Sequence, residues 1–526
     1  MHLAFFLLLF NYVRCFEYVE LKTRIGVVRG HRNNYGAEFL GIPYAKVDDG
    51  RPFGNSLPYP YFEAPFEASN PSTRCPQVGR VIGGTQQCLT LNIYVPENAN
   101  ATQTVPVFVW FHGGGFKIGS AGEYGGKHLT QHGIIVVTVN YRLGPYGFLC
   151  LDEEVPGNQG LKDQVTALKW VQANIGDFGG DKSKVTIGGQ SYGGGAVDLH
   201  MYSSDVKLFD KVIIQSGSMY AEGAFVKSDL NAAIKLSGQL GCSTNNTKDA
   251  LKCLATRDSL TVVKAAKDIG LKLGACKEKT MNGSENFITQ DPFHLDFVKR
   301  DDIAVLIGHN SNENFARFAN QSEEFYERLA NVFREKFVNN FVLSENDLDQ
   351  LSNNTQAFYL GKNGSLTAKE LKEFNVQLSD FSSDFMLNYP VEWSIKNYLR
   401  KGLKKIYKYV FSYTGGSPFK DVPGVGAYHT EELQYLFETE QQGNSDEQQL
   451  LRKRMTSMWA NFVKFGNPTP SRTDLLPVAW VPVTESTQPY LNIDVEMKML
   501  DNLFESRMKY WADFWSQHWM KNIILS

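Results

Sequence analysis

The sequence lacks a hydrophobic run long enough to cross a bilayer, which takes about 20 apolar residues. Its longest unbroken apolar run, Leu3 to Phe10, has eight residues and lies close to the amino terminus. A short apolar run that is followed by a small residue such as Cys15 is typical of a cleaved secretory signal. We therefore predict a signal peptide over residues 1–15, a mature chain over 16–526 and secretion, with an uncleaved anchor as the alternative.

The chain also lacks an excess of either charge. Its 53 basic and 56 acidic side chains give a formal net charge of −3, and nothing in their distribution indicates a nucleic-acid partner. We find no internal repeat, no low-complexity segment, no flexible linker and no cluster of metal-ligand residues. We therefore expect no metal, no organic cofactor and no nucleic-acid partner, and a small molecule is the partner that these absences leave open; the oligomeric state does not follow from the sequence.

Cysteines are few, seven in all, and six remain once Cys15 is removed with the signal. Six cysteines suit an oxidising compartment, although their pairing does not follow from the sequence alone. Cys150 follows an apolar strand and is interpreted as an inert buried thiol. We expect Cys276 to be free or to pair between chains.

Glycosylation signals point to the same compartment. The pattern Asn-X-Ser/Thr marks surface loops of exported proteins. It occurs at Asn100, Asn245, Asn282, Asn320, Asn353 and Asn363.

The chemistry of the chain is indicated first by Gly189-Gln190-Ser191-Tyr192-Gly193, which follows the strand-like Val185-Thr186-Ile187. A GxSxG pattern between a strand and a helix places the serine on a sharp turn that exposes its hydroxyl. On its own the pentapeptide is equally consistent with a glycine-rich turn around an idle serine. We take Ser191 as the candidate nucleophile because further elements of acyl chemistry are present.

One such element is His112-Gly113-Gly114-Gly115, which directly follows the apolar strand Val105 to Phe111. Attack on an ester carbonyl places negative charge on its oxygen, and fixed backbone N–H groups stabilise that charge. Three glycines allow a substrate to approach the backbone closely. The segment therefore predicts an oxyanion loop, the alternative being a flexible loop.

A serine nucleophile also needs an acid and a base, which follow it along the chain in that order. Glu313 lies just beyond the buried strand Ile303 to Ile307, where a carboxylate can orient an imidazole. His429 lies in a loop after the strand-like Ile406 to Tyr413. Glu431 and Glu432, beside His429, are interpreted as charges at a helix start. The other histidines after Ser191 are His200, His294, His309 and His518.

Strand-like runs at 105–111, 134–140, 184–188, 211–215, 302–307 and 406–413 alternate with helical patterns. This order predicts an α/β fold with one mostly parallel, doubly wound sheet and helices on both faces, within a single domain. The insertions at roughly 220–300 and 320–400 are expected to form a helical cover over the site.

Across almost its whole mature length the chain resembles the type B carboxylesterase and cholinesterase family of α/β hydrolases. Besides the motifs above, the resemblance rests on Gly41–Ala45, Cys88–Pro96, Asn140–Arg142, Gly157–Leu161, Phe178–Asp181, Gln215–Ser218, Trp459 and Gly466–Pro468. It implies the triad Ser191, Glu313 and His429, and oxyanion donors at the backbone of Gly114, Gly115 and Tyr192. It further implies disulfides Cys75–Cys88 and Cys242–Cys253, a buried Arg142–Asp163 ion pair, and support of the triad by Ser216.

The chain differs from the usual family pattern in three places that bear on its substrates. Gln190 stands where esterases of the family usually have glutamate, which predicts a pocket less attractive to cations. Tyr192 replaces the usual alanine and is expected to change the shape of the pocket while its N–H still donates. The loop from Cys75 to Cys88 contains no tryptophan to bind a choline cation. A carboxylesterase is therefore favoured over a cholinesterase.

Two functions from different classes follow from this pattern. The first is a secreted serine carboxylesterase that hydrolyses neutral esters through an acyl-enzyme. The second is an adhesion or binding protein of the same fold, similar to the neuroligins, that has lost catalysis. The intact triad and glycine triplet favour the enzyme, and a lipase that acts at a lipid interface is a further possibility within the enzyme class.

Overall fold

A computed structural model of the chain describes residues 17–71, 73–80, 82–100, 102–151, 155–203, 206–242, 244–280, 285–295, 302–439 and 443–519. The predicted signal peptide 1–15, with Cys15, and the sequon at Asn282 lie outside the described residues. Within these ranges no helix has both the length and the hydrophobicity that crossing a membrane requires.

In the part of the chain that the structure describes, a sheet of thirteen strands forms the centre of the molecule, and two further pairs of short strands form two-stranded sheets. The strands in chain order are β1 (Glu17–Thr23), β2 (Gly26–Asn33), β3 (Gly36–Pro43), β4 (Ala45–Lys46), β5 (Leu57–Pro58), β6 (Phe66–Glu67), β7 (Gln77–Val78), β8 (Ile82–Gly83), β9 (Thr90–Pro96), β10 (Val105–Phe111), β11 (Ile135–Val139), β12 (Gly180–Gln190), β13 (Lys211–Gln215), β14 (Ala304–Asn310), β15 (Ile406–Phe411), β16 (Tyr490–Ile493) and β17 (Lys498–Leu500).

The large sheet has the order β1-β2-β3-β9-β11-β10-β12-β13-β14-β15-β16-β17, and β6 pairs with β2. From β11 to β16 the neighbouring strands are parallel, whereas β1, β2, β3 and β9 at one edge and β17 at the other pair antiparallel. The predicted mostly parallel, doubly wound sheet is confirmed. The order doubles back at β10 and β11, so successive crossovers place helices on both faces.

Near-continuous apolar runs mark most of the central strands in the sequence. Every residue of β11, β13, β14 and β15 is buried, because helices cover both faces of this part of the sheet. Parallel strands that are covered on both faces have near-continuous apolar sequences rather than alternating ones. Strands β10 and β13 begin and end at the predicted residues, and the bounds of the other four predicted strands differ from the observed ones by up to four residues.

Sixteen α-helices are found in the described residues. In chain order they are α1 (Lys127–Thr130), α2 (Gly144–Phe148), α3 (Gln159–Asn174), α4 (Tyr192–His200), α5 (Ala232–Gln239), α6 (Thr247–Ala255), α7 (Ser259–Asp268), α8 (Phe315–Phe318), α9 (Glu323–Glu327), α10 (Val332–Asn340), α11 (Glu345–Leu360), α12 (Ala368–Glu373), α13 (Asn375–Ser383), α14 (Tyr389–Arg400), α15 (Asp446–Phe465) and α16 (Glu505–Phe514). Helices α5–α7 and α9–α14 occupy the two insertions in which a helical cover was predicted.

A buried ion pair joins the segment after β11 to the first turns of α3. The Arg142 guanidinium donates to both carboxylate oxygens of Asp163 at 2.7 and 2.8 Å, and it also donates to the carbonyl oxygens of Pro52 and Gly54. Both side chains are almost fully buried. A buried charge is tolerated when it is paired and its remaining hydrogen-bonding groups are satisfied. This is the buried pair that the family resemblance implied.

Three disulfides join the six cysteines of the described chain. Cys75–Cys88 and Cys242–Cys253 are the two pairs that the resemblance implied. The third, Cys150–Cys276, corrects our interpretation of Cys150 as a free thiol and of Cys276 as free or paired between chains. The two residues are 126 positions apart, so only the folding of the first cover insertion onto the sheet brings them together.

Loss of the third disulfide is expected to destabilise the protein more than loss of Cys242–Cys253. The closed loops span 126 and 11 residues, and loop-closure entropy assigns them about 5 and about 3 kcal/mol. Denaturant midpoints of the Cys150→Ala/Cys276→Ala and Cys242→Ala/Cys253→Ala variants measure the difference. Peptide mapping without reduction provides the control, and a free thiol at Cys150 in the wild-type protein would refute the pairing.

Candidate functional site

Ser191 lies at the junction of β12 and α4. Its backbone is in a positive-φ conformation, at φ 57° and ψ −129°, which a residue with a Cβ adopts only when the surroundings enforce it. The Ser191 N–H donates to the carbonyl oxygen of Gln215 at 2.9 Å. Gly193 permits the tight turn, because a Cβ there would lie 2.2 Å from the carbonyl oxygen of Phe111. The predicted strand–turn–helix context of Ser191 is therefore present.

The glycine loop after β10 packs against this turn. A Cβ on Gly113 would lie 2.9 Å from the Cβ of Ser191, so the loop and the serine are immediate neighbours. Gly114 has a φ of +108°, which favours glycine. In the described part of the chain no acceptor takes the N–H of Gly114 or Gly115. These two donors are available to a developing oxyanion.

Tyr192 begins α4 directly after the candidate nucleophile. Its hydroxyl donates to the carbonyl oxygen of Glu222 at 2.7 Å, and its ring packs edge-on against Phe116 with centroids 5.0 Å apart. The side chain also forms one wall of a cavity of about 340 Å³ that Lys117 and Lys272 line as well. The ring thus connects the oxyanion loop to the cover, where alanine would leave space.

Glu313 follows β14, and its carboxylate is buried. One oxygen accepts from the Ser216 hydroxyl at 2.6 Å and from the Asn310 N–H at 2.7 Å, and the other lies 2.6 Å from His429 Nδ1. Burial by itself would raise the pKa of Glu313, but the charge and hydrogen bond of His429 outweigh it and lower the pKa below its usual value. A charged carboxylate is the form that orients an imidazole.

His429 lies in the loop after β15, and its backbone N–H donates to the carbonyl oxygen of Glu313 at 3.0 Å. Burial would lower the pKa of the imidazole, but the nearby charge of Glu313, with a smaller contribution from Glu432, raises it above its ordinary value of 6.5. The side chain keeps 27 % of its exposure. The acid and base predicted from chain order are therefore in contact.

Among the hydrogen bonds of the described residues, none joins the Ser191 hydroxyl to His429. Instead the carboxamide nitrogen of Gln190 lies 3.1 Å from His429 Nε2 and 3.4 Å from Nδ1. Hydrogen bonds of a resting active site are often completed only when substrate binds. The sequence marked Gln190 as a missing charge and did not reveal this contact.

A second buried carboxylate, that of Glu432, lies close to the candidate triad residues. It accepts from Asn310 at 2.7 Å and from Gln215 at 3.1 Å, and Gln215 in turn accepts from the indole of Trp459 at 2.9 Å. Burial raises the pKa of Glu432 to about 7, and the charge of Glu313 adds to that rise. Our interpretation of Glu432 as a helix-start charge was incomplete: it does begin a short 3₁₀ helix, Glu431–Tyr435, but it is fully enclosed.

The side chains of five predicted glycosylation sites are exposed. They are Asn100, Asn245, Asn320, Asn353 and Asn363. All but the first lie on the cover insertions. Within the described residues no group of three or more acidic, histidine or cysteine side chains is arranged to hold a metal ion.

Comparison with known proteins gives a consistent result. A family model described as the carboxylesterase family matches residues 17–511. The chain is 32 % identical over 507 residues to a juvenile hormone esterase of Tribolium castaneum, covering 86 % of this chain and 84 % of that protein. It is 31 % identical over 483 residues to esterase FE4 of Myzus persicae, with 85 % and 83 % covered, and 30 % identical over 535 residues to carboxylesterase 3 of Pongo abelii, with 94 % and 90 % covered.

The raised pKa of His429 gives a pH prediction. A general base must be neutral, so ester hydrolysis should fall as the pH decreases through a midpoint above 6.5, the ordinary histidine value. Glu313→Gln removes the charge that raises this pKa, and the midpoint should move down while kcat falls by about 10⁴-fold. Profiles of kcat and of kcat/KM between about pH 5 and pH 9 measure both effects.

The matched control for this prediction is Glu327→Gln, which makes the same change on the exposed face of α9 and should leave the profile unchanged. A wild-type midpoint at or below 6.5 would contradict the contact between Glu313 and His429.

Proposed function

The chain belongs to the carboxylesterase family and hydrolyses carboxylic esters, and on that premise we propose that Ser191, His429 and Glu313 carry out the reaction through an acyl-enzyme. Its sheet is that of the α/β hydrolase fold. The observation that supports the proposal most strongly is the 2.6 Å contact between Glu313 and His429 Nδ1 beside the strained turn of Ser191.

In the first half-reaction the Ser191 Oγ attacks the ester carbonyl carbon while His429 Nε2 accepts its proton. The tetrahedral intermediate collapses as His429 returns that proton to the departing alcohol oxygen. Water then repeats the sequence on the acyl-enzyme and releases the carboxylic acid. Glu313 remains ionised throughout and stabilises the imidazolium that forms in each half-reaction.

We assign the stabilisation of the negative charge on the carbonyl oxygen to the backbone N–H groups of Gly114, Gly115 and Tyr192. Support comes from the unused N–H donors of the two glycines and from the packing of Gly113 on Ser191. A fixed donor of this kind contributes about 2.7–4 kcal/mol to transition-state stabilisation.

The preferred substrates are neutral esters. Gln190 is buried beside His429 and carries no charge, so this side of the site offers a cationic alcohol group no carboxylate. The loop from Cys75 to Cys88 provides no tryptophan for a cation–π contact.

We further propose that the protein is exported and glycosylated. Three disulfides and five exposed sequons suit an oxidising, extracytoplasmic environment. The signal predicted over residues 1–15 would direct this export.

Labelling by a fluorescent organophosphonate tests the nucleophile. The wild type should be labelled at Ser191 and should hydrolyse an acetate ester of a neutral alcohol, 3,3-dimethylbutanol, at least as fast as acetylcholine, its cationic analogue of nearly equal shape. In Ser191→Ala both labelling and turnover should disappear. Ser203→Ala is the control, because Ser203 is a buried serine just beyond α4 to which no role is assigned.

The outcomes of this experiment are distinct. A well-folded wild type that is not labelled would refute the triad and favour a binding protein of this fold. A strong preference for acetylcholine would refute the neutral-ester proposal and leave the triad intact.

Export is tested by expressing the full chain in secreting eukaryotic cells. We expect the protein in the medium, with an amino terminus near residue 16 and a mass that decreases on treatment with peptide N-glycosidase. Retention of residues 1–15 in the mature protein, or a mass unaffected by the glycosidase, would contradict the proposal.

A further inference from the structure

The contact between Gln190 and His429 has an unusual geometry. The Gln190 amide nitrogen is 3.1 Å from Nε2 and 3.4 Å from Nδ1 of the same imidazole. The lone pair of a ring nitrogen lies in the ring plane, and the two nitrogens point to opposite sides of the ring. A donor aimed along the Nε2 lone pair would be much farther from Nδ1. The nearly equal distances therefore place the amide nitrogen over the face of the ring.

This placement leaves the plane of the imidazole to its other partners. Nδ1 already lies 2.6 Å from Glu313, and the in-plane position at Nε2 stays open for a proton donor such as the Ser191 hydroxyl. An amide N–H that points at the electron-rich face of a neutral ring makes a weak favourable contact. Gln190 is almost fully buried, so its carboxamide is held against the ring.

We propose that Gln190 is a positioning residue for ester hydrolysis, which holds His429 by the face of its ring and, because it is neutral, limits the affinity of the ring for a proton. This inference rests on the triad of the proposed function. Gln190 is the last residue of β12, and Ser191 follows it directly. The end of one strand therefore positions both the nucleophile and the residue that holds its base.

The neutrality of Gln190 affects how strongly His429 holds a proton. The charged groups that face His429 are Glu313 at Nδ1 and, at longer range, Glu432 from the following 3₁₀ helix. Both already favour the imidazolium. A glutamate at position 190 would add a carboxylate over the ring face, whereas the carboxamide adds only a dipole. An imidazole held too strongly in its protonated form cannot act as a base at neutral pH.

Three variants separate positioning from charge. Gln190→Glu keeps the side-chain shape and adds the charge, Gln190→Met keeps the approximate size and removes the polar group, and Gln131→Glu makes the same charge change at an exposed site. The pKa of His429 is measured from the ring signals of ¹³C-labelled histidine, assigned with His429→Gln. The histidine signals and the kcat and KM of a neutral aryl ester are measured over one series of pH values that extends beyond the pKa of His429 in each variant.

Gln190→Glu should raise the pKa of His429 by about 1–3 units, as an opposite charge in contact does, and should keep kcat near the wild-type value on the alkaline plateau. Gln190→Met should leave KM nearly unchanged and lower the plateau kcat by about ten- to a hundredfold, because a displaced base is costly. Gln131→Glu should change neither quantity.

An unchanged pKa of His429 in Gln190→Glu would overturn the inference, since the carboxylate would then not face the ring. A full plateau kcat in Gln190→Met would overturn the positioning role. The histidine signals do not depend on turnover, so a wild type that fails to react with the organophosphonate refutes the proposed triad while the pKa comparison still decides the contact.

Discussion

The candidate site depends on one buried charge, the carboxylate of Glu313. An ionised group without exposure to water costs several kcal/mol unless it is paired and hydrogen-bonded. Here Ser216 follows β13, Asn310 ends β14, and His429 lies beyond β15, and each contacts this carboxylate within 2.7 Å. Parallel strands end at the same edge of a sheet, so one carboxylate can link three of them. Loss of any one of these three contacts would leave the buried carboxylate of Glu313 less well stabilised and would weaken its contacts with the remaining two residues.

Support for this carboxylate extends into the helical cover. Asn312, next to Glu313 in the chain, accepts from Ser379 at 2.5 Å and donates to Asp380 at 3.3 Å, and the N–H of Asn314 donates to Ser383 at 2.9 Å. Burial raises the pKa of Asp380 to about 6, although the nearby Arg507 of α16 opposes this rise. The acid loop is thus held between the sheet and α13. The cover therefore also holds the loop that carries Glu313, the acid of the candidate triad.

Much of the fold and of the candidate triad could be predicted because the signals are local. The central strands appear as near-continuous apolar runs, and Ser191, Glu313 and His429 each follow such a run, beyond the carboxyl end of its strand. The Cys150–Cys276 pair could not be predicted, because its partners are 126 positions apart and neither has a local signal. Glu432 was interpreted as a charge at a helix start, whereas the structure buries it completely and bonds it to Gln215 and Asn310.

By itself the sequence determined the approximate positions of the six strands β10 to β15, the family, and the identity of the residues that follow these strands, since hydrophobic periodicity and short motifs act over a few neighbouring positions. Only the tertiary structure decided what those residues touch: the face-on contact of Gln190 with His429, the enclosure of Glu432, and the third disulfide. Each of these joins segments from 122 to 239 positions apart. Contacts between such distant segments depend on the packing of the whole chain, which fixes both distance and exposure to water and leaves no pattern in either segment alone.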